Sequence, residues 1–143
     1  MRTDFSYLFT PFLAWLVAGT LKLVINSVRA RKLAFGLIGY GGLPSNHTAI
    51  VTSVAALVAL KQGFDHPAFG VALALAFIEV LDATSLRREV GKHAALLNKL
   101  DNPSTGTTPL RERMGHSCIE VGAGIFVGIS VAVIITTLIN SKV

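Results

Sequence analysis

"VGAGIFVGISVAVIITTLI", residues Val121 to Ile139, decides the fold class. A helix on the outside of a soluble bundle carries a polar stripe on its outer face, and this run has none. About 20 consecutive apolar residues match the roughly 30 Å hydrocarbon thickness of a bilayer. We therefore read a membrane span from about Ser117 to Ile139. Three earlier apolar segments accompany it, at about Ser6 to Val28, Asn46 to Leu60 and Ala68 to Leu86. The second, with "TAIVTSVAALVAL" from Thr48 to Leu60, is short but equally free of a polar stripe. The third carries Glu79 and Asp82 near its end.

Composition agrees with a lipid setting. Of 143 residues, 52% are hydrophobic and 15% charged, and the mean hydropathy is +0.61. A net charge of +5 would suggest nucleic acid in a soluble chain. Here the basic residues sit in short runs beside apolar spans, as membrane-flanking charge does, so no nucleic-acid partner is expected. The expectation is an all-α fold: an integral membrane bundle of about four transmembrane helices, with an amphipathic interfacial helix between the third and fourth. It forms a single domain over 1–143. The N-terminal run is long, contains Lys22 and lacks a small-x-small cleavage site, so it reads as a retained helix rather than a signal peptide. Cys118, the single cysteine, excludes an internal disulfide and is expected as a small buried side chain.

The connections give sidedness. "KQGFDHPAFG" between spans two and three is a tight turn. The link between spans one and two carries Arg29, Arg31 and Lys32, and the link between spans three and four carries Arg87, Arg88, Lys92, Lys99, Arg111 and Arg113. Both basic links fall on one side of a four-span chain, which the positive-inside rule makes cytoplasmic. Within the longer link, "SLRREVGKHAALLNKL" has the amphipathic, basic pattern of a helix on a membrane surface, and "DNPSTGTTP" is rich in turn formers.

An ionisable residue in a span costs about 2.5–3.5 kcal/mol at the bilayer centre, so each one needs a reason. Lys22 and Arg29 lie two helical turns apart on one face. Span two opens at "LPSNHTA", where Ser45 or Asn46 can cap the helix and leave its first N–H groups facing an anion. Gly41 and Gly42 clear the approach, and His47 sits in the first turn. His116 and Glu120, at the opening of span four, are four apart and would be neighbours on one helix face, a carboxylate orienting an imidazole. No cysteine or histidine at ligand spacing supports a metal there. Glu79, Asp82, Arg87 and Arg88 cluster at the end of span three, where a structural salt bridge is the plainest reading. An up-down bundle collects all these residues at one end. Two histidines, a carboxylate and several cations around a helix N-terminus suit phosphoryl transfer from a phosphomonoester.

These residues resemble the superfamily of type 2 phosphatidic acid phosphatases and vanadium haloperoxidases. Its motifs run Lys-x6-Arg-Pro, Pro-Ser-Gly-His and Ser-Arg-x5-His-x3-Asp. Lys22 to Arg29 has the first spacing, Pro44 to His47 looks like the second, and His116 to Glu120 has the spacing of the third. "GGLPSNHTA", "DATSLRR" and "MGHSCIEV" look more closely like the divergent, small membrane branch of that superfamily. Ala30, Asn46 and Glu120 stand where the wider motifs have proline, glycine and aspartate, and the third motif's arginine would fall at Leu110.

The resemblance implies a lipid phosphate phosphatase without a metal or other cofactor. His116 would be the nucleophile, Glu120 its orienting carboxylate and His47 the acid for the leaving oxygen. Lys22, Arg29, Ser45, Asn46, Arg87 and Arg88 would bind phosphate, with Asp82, Arg111 and Arg113 in support. The active site would face the cytoplasm, the substrate would be of phosphatidylglycerophosphate or polyprenyl phosphate type, and a homodimer would enlarge so small a bundle. The same residues also fit a membrane scaffold or anionic-lipid binder without turnover.

Overall fold

A computed structural model describes residues 4–31, 42–100 and 108–141. Every regular element among them is helical. α1 spans Ser6–Ala30, α2 Asn46–Gln62, α3 Pro67–Leu81, α4 Arg87–Leu100 and α5 Cys118–Asn140, and a single π-helical turn, Asp82–Leu86, joins α3 to α4. Lys32, Gly41 and the turn-rich stretch 101–107 lie outside the described residues.

Three helical runs are long and apolar enough to cross a membrane: Ser6–Ala30, the continuous run Pro67–Leu100, and Cys118–Ile139. At 1.5 Å per residue, the 25 residues of α1 extend roughly 37 Å, enough for a bilayer core. α2, with 17 residues, is shorter than any of these three runs and is the most enclosed of the helices. It packs against α1, α3 and chiefly α5. Large apolar side chains such as Phe12, Leu16, Val71, Leu75, Ile119 and Phe126 face outward, as lipid favours. The fold is an all-α membrane bundle.

Small residues hold it together. On α1 the buried positions are Ser6, Thr10, Ala14, Ala18 and Lys22, one stripe with a four-residue repeat. Ala14 and Ala18 meet Ala49 of α2 and Val127 and Val131 of α5 in the core. α5 presents Gly124, Gly128 and Ala132 at the same repeat. A Cβ on Gly124 would stand 2.6 Å from the Ser45 carbonyl oxygen, and one on Gly128 would stand 2.6 Å from that of Ala49. Helix backbones in lipid associate by this kind of close approach, since the hydrophobic effect does not drive helix against helix there.

The caps fix the helix ends. Ser45 caps α2, its Oγ accepting from Thr48 N. His66 caps α3 ahead of Pro67 at the first turn, which completes the tight turn expected between the second and third spans. Ser117 caps α5 in a capping box with Glu120. At the opposite end of α1, Lys61 near the close of α2 donates to Asp4 Oδ2 at 2.6 Å and to Ser6 Oγ at 2.7 Å. That staple pins the start of α1 to the end of α2.

The expected amphipathic helix is present as α4, but it grows out of α3 without a loop. Cys118 corrects another expectation: it is exposed, as the first residue of α5, beside Ile119, which is exposed as well.

Candidate functional site

α2 and α5 begin side by side, tied by a hydrogen bond from Ser45 N to the Glu120 carbonyl at 2.9 Å. The end of α1 reaches the same place: Gly19 faces the side chain of Asn46, and Asn26 faces Gly42. The π turn supplies the fourth wall. Its Ala83 carbonyl accepts from the His116 backbone N–H at 2.9 Å, a bond that uses the irregular hydrogen-bonding a π turn introduces into a helix.

How His116 arrives there was not legible in the motifs. The segment from Thr108 to Ser117 has no regular structure and runs back along α4. Asn98 holds it as a strand would, its Nδ2 donating to Leu110 O at 2.8 Å and its Oδ1 accepting from Leu110 N at 2.8 Å. Asn98 Nδ2 also donates to Glu112 Oε1. Gly115 adopts φ +83°, which side-chain-bearing residues rarely adopt, and a Cβ there would lie 2.9 Å from Ala83 O and 2.6 Å from Arg88 Cγ. No sequence signal marks the π turn. Gly115 beside His116 was the available hint of a close approach.

The centre of the site is a pair of histidines. The rings of His47 and His116 lie 6.4 Å apart, centroid to centroid, at 76°. His116 is 8% exposed, yet neither ring nitrogen has a hydrogen-bond partner. Lys22 is 6% exposed and interacts electrostatically with Glu120. The charges acting on His116 are those of Lys22, Glu120, His47 and Arg87. Burial is the main cause that holds the His116 imidazole below its ordinary pKa, and the Lys22 ammonium adds to it while Glu120 opposes. The ring is thus kept neutral in a cationic setting.

Several expected roles change. His116 and Glu120 do not share a helix face, because His116 precedes the cap residue. Glu120 Oε2 instead accepts from Ser117 N at 2.7 Å, so the carboxylate closes the start of α5 and reaches His116 only through its charge. The sequence pattern Ser-x-x-Glu was the signal for that capping box. Ser45 is fully buried, and its hydroxyl accepts from both Thr48 N and Thr48 Oγ1. It builds the α2 terminus rather than offering a hydroxyl to a ligand.

Arg87 donates through Nη2 to Glu79 at 3.1 Å and through Nε to Asp82, which is the structural salt bridge considered for this cluster. The stem of Arg88 lies over Gly115, with its residue exposed. Arg29, Arg111 and Arg113 are exposed and are not among the charges acting on His116. The two-turn spacing that puts Lys22 and Arg29 on one face therefore leaves only Lys22 inside. Asn46 joins the site in a way that sequence did not show: its Oδ1 is buried without a partner.

Among the described residues, three buried side-chain polar atoms lack a partner: Asn46 Oδ1, His116 Nδ1 and His116 Nε2. All three belong to this one end of the bundle. A buried polar atom left unpaired costs about 1–3 kcal/mol, and native proteins hold few of them. Such a concentration makes this end of the bundle the candidate site for a polar ligand. No group of three His, Cys, Asp or Glu side chains among the described residues could hold a metal.

Residues 4–131 match the family model described as "Divergent PAP2 family". A relative in Bacillus subtilis, the uncharacterized membrane protein YuiD, is 33% identical, with 94% of this chain and 96% of the relative covered. No solved structure gives a significant match. The apolar helices and this relative identify an integral membrane protein.

Proposed function

Because the chain belongs to the divergent PAP2 family, we propose that it is a metal-independent phosphatase of lipid phosphate monoesters, acting through a phosphohistidine. The observation that carries this reading is the His47–His116 pair, 6.4 Å apart, with both nitrogens of His116 buried and unpartnered beside the Lys22 charge. At that separation both rings can touch one tetrahedral phosphoryl group, one on each side.

A neutral His116 nitrogen attacks phosphorus while the bond from phosphorus to the lipid oxygen breaks, and His47 gives its proton to that oxygen. Water then attacks the phosphohistidine with His47 as base, releasing inorganic phosphate and restoring both rings. Lys22 offsets the charge on the phosphoryl oxygens, and Glu120 stabilises the positive ring formed on phosphorylation. A lipid suits the location, because the tail stays in the bilayer while the head group enters at the helix termini. The basic residues Arg29, Arg31, Arg88, Lys92 and Lys99 lie in the two links that flank these helix termini, and by the positive-inside rule we take this end to be cytoplasmic.

A second reading, an anionic-lipid binder without turnover, is favoured by one observation. Arg87 is already neutralised by Glu79 and Asp82, which leaves fewer cations for a transition state. Phosphate release from short-chain lipid phosphates in detergent with excess EDTA separates the two. Wild type should release phosphate with vanadate as an inhibitor, and His116→Ala should not. A folded wild type inert on a broad lipid panel supports the second reading, and full activity in His116→Ala removes the proposed nucleophile. Sidedness is read from Thr108→Cys in a Cys118→Ser background: an impermeant thiol reagent should label it only in inside-out vesicles, and labelling in intact cells reverses the orientation.

A further inference from the structure

Asn46 sits between the cap Ser45 and His47, and its carboxamide is split between two environments. The Nδ2 end faces α1, where a Cβ on Gly19 would stand 3.5 Å away. The Oδ1 end is buried and bonds to nothing. An amide oxygen can only accept a hydrogen bond. Phosphate oxygens at alkaline pH are also acceptors, so a bare phosphate monoester leaves Asn46 Oδ1 unsatisfied and adds repulsion. Among the described residues none donates to it: Lys22, Ser45 and Thr48 make no hydrogen bond to it, and the latter two are bonded to each other. That leaves an acceptor position which a ligand carrying a donor would fill.

We propose that Asn46 selects the head group: its Oδ1 accepts a hydrogen bond from a hydroxyl on the alcohol next to the phosphate, so the site prefers a hydroxylated lipid phosphate of the glycerol phosphate kind. This rests on the phosphate-site reading above and narrows it. Between the two substrate types suggested by the sequence, a glycerophosphate head brings such a hydroxyl and a polyprenyl phosphate does not. Phosphatidic acid lacks it too. A site that hydrogen-bonds a substrate hydroxyl rejects the analogue without one, because its own acceptor is then stranded. Rotating the amide half a turn would exchange the ends and make Asn46 a donor to phosphate oxygen, an arrangement with no head-group preference.

The test uses the full chain in detergent with EDTA at pH 8, where a phosphate monoester, with its second pKa near ~6, is a dianion and cannot itself donate. kcat/KM is measured on short-chain phosphatidylglycerophosphate and short-chain phosphatidic acid. Wild type should favour the first by about tenfold or more. Asn46→Ala should bring that ratio close to one, whatever it does to either value alone. Asn46→Leu keeps the volume beside Gly19 without an acceptor and should act likewise if the alanine variant folds poorly. A ratio that survives in these variants, or a wild type with no preference, overturns the role of Asn46. If wild type hydrolyses neither substrate, the phosphatase reading is what has failed, and the inference is then read from binding. Thermal stabilisation by a glycerol-bearing alkyl phosphonate should exceed that by a plain alkyl phosphonate in wild type and equal it in Asn46→Ala. Equal stabilisation in wild type overturns it.

Discussion

Substituting Gly124 by alanine tests whether the approach of α5 to α2 sets the site. The new Cβ would lie 2.6 Å from the Ser45 carbonyl oxygen, 3.0 Å from Thr48 Cβ and 3.2 Å from Ser45 Cβ. The first distance is roughly 0.8 Å short of ordinary van der Waals contact, on the steep side of the repulsive wall. None of these atoms is the end of a flexible side chain, so the helices must separate. Overpacking of this kind costs about 1–3 kcal/mol, and the better helix propensity of alanine returns about 1 kcal/mol, leaving a net loss of up to about 2 kcal/mol.

Gly122 is the control. A Cβ there meets nothing within 4 Å, so Gly122→Ala keeps only the propensity gain. Thermal unfolding in detergent, followed by far-ultraviolet circular dichroism, should place Gly124→Ala below wild type and Gly122→Ala at or above it. Separating α2 from α5 also disturbs the Ser45–Glu120 bond that aligns the two histidines. Displacements approaching 1 Å cost about a hundredfold in rate, so phosphate release by Gly124→Ala should fall at least tenfold at temperatures where it is folded. A Gly124→Ala protein as stable as Gly122→Ala would refute the reasoning.

The low pKa of His116, caused first by burial and then by Lys22, has two readouts. The unfolded chain takes up this proton near ~6.5 and the folded chain only at lower pH, so stability is full above ~6.5 and is lost as pH falls through the folded value. Wild type should therefore lose more stability than His116→Gln between pH 7.5 and 5, and the acid limb of kcat/KM should lie below ~6.5; equal losses, or a limb at or above ~6.5, contradict the burial argument. At the other end, the hydrogen bond from Lys61 lowers the Asp4 carboxyl to about 2. Its stabilising effect is present above ~3.9 and disappears as pH falls through about 2, and Lys61→Met should return the carboxyl toward ~3.9 in an NMR titration. An unmoved titration would mean that the staple is absent in solution.

Hydrophobic periodicity carried the spans, because lipid removes the need for a polar outer stripe and leaves long apolar runs. Helix starts were legible where a local side chain makes the cap, as at Ser45. The four-residue repeats of small residues, Ser6 to Ala18 on α1 and Gly124 to Ala132 on α5, were also present in the sequence, and GxxxG spacing names the second as a packing face. Lys22, His47 and His116 could be nominated because charge and imidazole are expensive inside a membrane bundle.

Sequence by itself determined that this is a helical membrane protein whose candidate site residues are spread over the helix ends that an up-down bundle collects. Tertiary structure alone decided which of them work together. Spacing places two residues on one helix face only if both are in the helix, and His116 lies just outside it. Glu120 therefore serves the Ser117 N–H, and His116 is held by Ala83 across the π turn and by a return segment clipped to Asn98. Arg87 was nominated by charge and is taken by Glu79 and Asp82, while Arg29 shares the face of Lys22 and stays outside. Such outcomes depend on competition among partners brought together by packing, which pairwise distances along the chain do not encode.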